Sequence, residues 1–242
     1  MSSRAVAQAQ LRLPLHGEAP LADKPFVKGA ANADAVARLA APERWPAGAL
    51  ALVGPPGSGK SHLAALWAAR EGARAFDAIE PPDAPFDGPR LLEDADRALL
   101  DPQTGEALFH ALNAAAQGRG GPLLLTGRPP PAEWPCALPD LRSRLNALPV
   151  AALSEPGDAL LRALLTGFFR AKSVRPTDDL LDYLVRRIER SALGAAAIVE
   201  ALDAACRDGG RLGRSLAREL LDGGCETSDL FDAADHDPRA EG

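Results

Sequence analysis

Ala49-Leu50-Ala51-Leu52-Val53-Gly54-Pro55-Pro56-Gly57-Ser58-Gly59-Lys60-Ser61 decides how this chain folds. The first five residues are uniformly apolar and short, and Gly54-Pro55-Pro56-Gly57 stops them, so they read as a buried strand. Lys60 to Glu71 is rich in Ala and Leu and reads as a helix. Between them, Gly54 to Ser61 fits G-x-x-x-x-G-K-[ST] at every fixed position, in the strand–loop–helix context that gives the pattern meaning. Glycines at Gly54, Gly57 and Gly59 allow the backbone N–H groups, Ser58's included, to turn inward onto phosphate oxygens, and the helix N-terminus adds its positive end. Lys60 then reaches the β- and γ-phosphates, Ser61 supplies a hydroxyl for Mg²⁺, and His62 follows in the first helical turn. The cofactor expected is ADP or ATP with Mg²⁺.

Further along, Arg74 to Ala78 reads as a second strand, and Arg90 to Asp94 as a buried strand ending in acids. Asp101 to Gln117 reads as a helix and Leu123 to Thr126 as a third clear strand. Strands alternating with helices predict an α/β protein built on a parallel sheet. A P-loop needs an acid on a neighbouring strand. Glu93 and Asp94 stand in that place, 33 residues after Lys60. Either can hold the metal through water while the other polarises the attacking water, and their division of roles stays open. Thr126 ends the next apolar strand, where its hydroxyl either meets the γ-phosphate or attacking water, or simply caps the strand.

Beyond Leu153 the character changes. Asp158 to Lys172, Thr177 to Arg190, Ala192 to Asp208 and Arg211 to Asp222 all read as helices. The expected organisation is a flexible tail over 1–24, a nucleotide-binding α/β domain over 25–152, a small helical lid domain over 153–225 and an acidic disordered tail over 226–242. Composition agrees with a globular chain, at 46% apolar and 25% charged residues over 242. No apolar run is long enough to span a bilayer, and the first ten residues lack the core of a secretory signal. Cys136, Cys206 and Cys225 are odd in number and far apart, which fits reduced thiols in a cytoplasmic protein and neither a disulfide framework nor a zinc site. His16, His62, His110 and His236 are equally scattered.

The net charge of −6 argues against a globally basic nucleic-acid binder. Residues 226–242 hold six acids against one base, Arg239, so residues 1–225, with 26 bases and 27 acids, are nearly neutral. Global charge therefore says little about how the folded body meets its partners.

These parts in this order resemble an AAA+ ATPase. Phe26-Val27-x-Gly29-x-x-Asn32 before the P-loop is similar to the entry segment of the DnaA initiator family. So are Thr126-Gly127-Arg128-Pro129-Pro130 and the following Leu138-Pro139-Asp140-Leu141-Arg142-Ser143-Arg144-Leu145. The likeness runs from about Gln10 to Leu221, and within that family it is to the Hda-type regulatory inactivators of the initiator. It implies an AAA+ parallel sheet flanked by helices with a helical lid behind it. It also implies that Arg144, rather than Arg142, is an arginine finger that enters a neighbour's nucleotide site. Gln10-Leu11-Arg12-Leu13-Pro14-Leu15 resembles the family's sliding-clamp motif, with Gln10 as polar anchor and Leu11, Leu13, Pro14 and Leu15 as apolar contacts.

Two departures from the family are visible. The lid stretch after Arg190-Ser191 is Ala192-Leu193-Gly194-Ala195-Ala196-Ala197, without the expected sensor arginine, for which Arg190 is a partial substitute. The Lys60–Glu93 segment is short for the helices with which an initiator grips single-stranded DNA, and no helix-turn-helix is expected after the lid. The resemblance thus implies a negative regulator of replication initiation. Such a protein would bind the DNA polymerase sliding clamp, reach DNA through it, stimulate hydrolysis of the initiator's ATP, and have weak intrinsic turnover. Homodimerisation is left open. The competing reading is an AAA+ helicase loader or self-contained replication ATPase. Less favoured are a P-loop small-molecule kinase and a clamp adaptor with a vestigial nucleotide site.

Overall fold

A computed structural model describes residues 26–78, 88–119 and 121–222. The clamp-like segment Gln10–Leu15, the acidic residues 226–242 and Cys225 lie outside the described residues.

In chain order the elements are α1 (Ala33–Leu39), β1 (Ala49–Val53), α2 (Lys60–Glu71), β2 (Arg74–Ala75), β3 (Arg90–Leu92), α3 (Ala95–Ala98), α4 (Pro102–Ala116), β4 (Leu123–Gly127), α5 (Pro139–Asn146) and β5 (Val150–Ala152). Helices α6 (Asp158–Ala171), α7 (Asp178–Val185), α8 (Ala192–Arg207) and α9 (Arg214–Asp222) follow. The five strands form one parallel sheet in the order β2-β3-β4-β1-β5. Central β1 and β4 are buried at every position. Their side chains alternate between faces, as the period of a strand dictates. Ala49, Ala51, Val53, Leu123 and Leu125 face a core closed by α3, α4, α5 and Trp134, whereas Leu50, Leu52 and Leu124 face one closed by α1 and α2. Burial on both faces is why these strands read as unbroken apolar runs.

The second core is anchored by a stacked indole pair. Trp45 and Trp67 lie with ring centroids 5.4 Å apart and planes 27° from parallel. A third apolar cluster belongs to α6–α9, around Leu161, Leu165, Phe169, Leu180, Leu184, Val199 and Leu202. No helix among the described residues is long and apolar enough to cross a membrane.

Several expected boundaries move. The second strand is only Arg74–Ala75, an exposed edge whose side chains gain little from the sheet. The third ends at Leu92, so Glu93 and Asp94 sit in the turn beyond it, because Asp94 takes a left-handed conformation (φ 46°) and opens α3. The helix expected over Thr177–Arg190 stops at Val185. There the Leu184 carbonyl accepts from both Arg187 and Ile188 N–H groups, and the chain turns into the Ser191 cap of α8. Helix α9 starts at Arg214, three residues later than expected. Helices α1, α3 and α5 and strand β5 are further elements that the sequence reading does not contain.

Candidate functional site

The carboxyl ends of β1, β3 and β4 converge, and ligands of open parallel sheets sit in such a crevice. β1 runs straight into the glycine loop. Gly57 and Gly59 have φ of +70° and +93°, which only glycine adopts without strain. A Cβ on Gly57 would lie 2.7 Å from the Ser191 Cβ, so the loop passes hard against the start of α8, and the Ala192 N–H donates to the Gly57 carbonyl at 2.9 Å. Gly59 caps α2, and Phe26 lies beside it, edge-on to the His62 ring at 5.2 Å. Asn32 is buried and ties this entry segment together, accepting from the Gly29 N–H at 2.9 Å and donating to the Val27 carbonyl at 3.0 Å.

Lys60 is only 9% exposed, and its ammonium donates to the carbonyls of Gly54 at 2.7 Å and Pro55 at 3.0 Å. Burial holds its pKa below the usual lysine value; Asp94 and Asp96 oppose that shift and Arg128 adds to it. Ser61 donates to the Glu93 carboxylate. Glu93's pKa is nevertheless raised, first by burial and then by the charge of Asp94 beside it. The Asp94 N–H donates to the Thr126 hydroxyl at 3.0 Å, and Thr126 is buried at 2% exposure. Thr126 therefore fixes the turn that carries the two acids. The structure thus brings Gly54, Gly57, Ser58, Gly59, Lys60, Ser61, His62, Glu93, Asp94 and Thr126 into one region.

This region fits a nucleotide phosphate on its own geometry. The Ser58 Oγ is buried with no protein partner, and Lys60 is a buried cation whose hydrogen bonds go to neutral carbonyls. Two residues not anticipated from sequence, Asp96 and Arg128, also act on Lys60. Asp96 follows Asp94 by two, and Arg128 follows Thr126 by two within a stretch already quoted, so their places next to residues that had been singled out were the available signal.

Arg142 and Arg144 separate clearly from one another. Arg142 donates to the carbonyls of Pro131, Ala132 and Trp134 and so secures the turn before α5. Arg144 is exposed in the last turn of α5 and, among the described residues, makes no ion pair or side-chain hydrogen bond. Arg190, the partial substitute for the sensor, has partners of its own. It pairs with Asp158 at 2.6 Å and reaches the Pro156 carbonyl.

No family model and no curated protein matches the chain. Solved structures do. Domain III of the Thermotoga maritima replication initiation protein DnaA superposes with a TM-score of 0.68 at 16% identity, over 83% of this chain and 95% of that one. AMPPCP-bound DnaA from Aquifex aeolicus gives 0.61 at 14% identity, over 86% and 68%. The Thermotoga maritima RuvB Holliday junction branch migration motor gives 0.57 at 15%, over 72% and 61%. The fold is accordingly the AAA+ fold of DnaA domain III, a five-stranded parallel sheet flanked by helices.

Proposed function

We propose that this chain is a nucleotide-holding replication adaptor that acts on a partner's ATP. Lys60 and the loop amides would hold the phosphates of ADP or ATP, with Ser58 and Ser61 contributing hydroxyls. Among the described residues no group of three or more His, Cys, Asp or Glu side chains is arranged to hold a metal alone. Mg²⁺ would therefore sit between phosphate oxygens, Ser61 and the Glu93–Asp94 turn. The bound nucleotide supplies a phosphoanhydride, and this chain's residues orient it and shield it from water.

Intrinsic turnover should be weak, because the start of α8 carries only small or apolar side chains. The observation that carries the reading is the contrast on α5. Arg142 is consumed by its own fold, whereas Arg144 is exposed and free to neutralise charge across an interface. Its target would be ATP on the DnaA initiator. Gln10, Leu11, Leu13, Pro14 and Leu15 would dock on the sliding clamp, so that the adaptor acts where clamp is loaded on DNA, in the cytoplasm.

The test is hydrolysis of initiator-bound ATP with clamp on DNA. Wild-type chain should stimulate it, and Arg144→Ala should lose at least about 100-fold of that stimulation. Full stimulation by Arg144→Ala would remove the finger assignment. Fast turnover by the isolated chain, with homo-oligomers, would favour a self-contained ATPase or helicase loader.

A further inference from the structure

A groove of about 800 Å³ opens between α6, the turn after it and the start of α7. None of its lining residues belongs to the glycine loop or to the Glu93–Asp94 turn, so the nucleotide reading leaves it unused. The end of α6 fixes its shape. The N–H groups of Ser173 and Val174 donate to the carbonyls of Arg170 and Phe169, each at 2.9 Å, and Ser173 takes a left-handed φ of 59°. Val174, Pro176 and the buried Leu181 give the groove an apolar lining.

Its charges are not balanced. Arg162, Arg170, Arg175 and Asp178 also line the groove. Arg162 is neutralised by Asp178, at 2.6 Å, and by Asp182. Arg170 and Arg175 are exposed and, among the described residues, enter no ion pair and no side-chain hydrogen bond. Two uncompensated cations thus stand over an apolar floor. Such a surface selects a segment whose apolar side chains are flanked by carboxylates.

The chain itself carries one. Asp229-Leu230-Phe231-Asp232 sets two apolar residues between two acids, within residues 226–242, which hold six acids against one base. Asp229 is seven residues beyond Asp222, where α9 ends. Helix α9 runs alongside α7 in the same direction. Arg214 at its start pairs with Asp179 in the first turn of α7 at 3.3 Å, and Asp222 at its end lies 3.9 Å from Arg187, just past the end of α7. The way back to the groove is therefore about one helix length, roughly 13 Å for the nine residues of α9, plus the turn around α7. Seven extended residues span about 23 Å. We propose that Asp229–Asp232 docks in this groove of its own chain, Leu230 and Phe231 on the apolar lining and the two carboxylates on Arg170 and Arg175. The short tether raises the effective concentration, so few contacts are needed to hold it.

Photo-crosslinking on the full chain tests it, with p-benzoylphenylalanine in place of Phe231 and the products mapped by mass spectrometry. Crosslinks within one chain should fall on residues 166–181. Arg170→Glu with Arg175→Glu should lower their yield by at least about threefold. Asp229→Arg with Asp232→Arg should do the same while leaving every described residue intact, which keeps the test decisive should the groove variant fail to fold. Combining all four reversals should recover the product. Crosslinks that map elsewhere, that join two chains, or whose yield the Asp229→Arg, Asp232→Arg pair does not change would overturn the proposal.

Discussion

Arg142 and Arg144 lie two residues apart in one short helix, yet their side chains face different physics. Arg142 spends its planar fork on three backbone carbonyls near Trp134. Removing it leaves those acceptors to water or to nothing. Arg142→Ala is expected to cost about 1–3 kcal/mol of unfolding free energy, whereas Arg144→Ala should stay within about 0.5 kcal/mol. Denaturant unfolding of both variants checks this. Sequence placed both arginines in one box but could not separate them by residue type; the separation depends on how the chain folds back from the Pro131–Glu133 turn a short way upstream. Lys60 shows the opposite case. The loop pattern and its strand–helix context already place it, because backbone geometry leaves the residue following Gly59 few positions.

Strands β1 and β4 were legible because a parallel strand covered on both faces must be apolar throughout. Strand β2 was legible but read too long, because its two exposed residues carry no pattern that marks an end, whereas β5, with only three residues, escaped the reading. Helix α5 hides for a related reason. It runs eight residues, opens on Pro139, and buries only Leu141 and Leu145. The overlong reading of α7 followed a polar run, Arg186–Arg190, that suits a helix as well as a turn. Here Ser191 decided the matter, since it is buried and caps α8 by accepting from the Gly194 N–H at 2.8 Å. The loop after β4 depends on Gly127 having no side chain. Gly127→Ala should drive a methyl into the Trp134 ring and destabilise the protein by about 3 kcal/mol, read as a lowered denaturant midpoint at unchanged m-value.

At the scale of the molecule, the sheet with its flanking helices and the helices α6–α9 own separate apolar clusters. The glycine loop is one place where they meet, through Gly57 against Ser191 and Ala192. A ligand on that loop is therefore placed to sense both. Clamp docking is proposed for Gln10–Leu15 and nucleotide binding for the glycine loop, so the two activities should separate. Replacing Leu13 and Leu15 together with Ala is expected to abolish clamp association in surface plasmon resonance while leaving nucleotide affinity within about twofold. Loss of both, or of neither, would remove that assignment.

The stacked Trp45–Trp67 pair gives the chain an optical signature of its own. Trp67 rides on α2, the helix that begins at Lys60, while Trp45 belongs to the short turn before β1. Two indoles at that separation couple electronically, so their near-ultraviolet circular dichroism depends on the angle between them. A tilt of α2 when phosphate is gripped at its start should therefore change that band, with Lys60→Ala silencing the change. Loading of the site can then be followed in unlabelled protein.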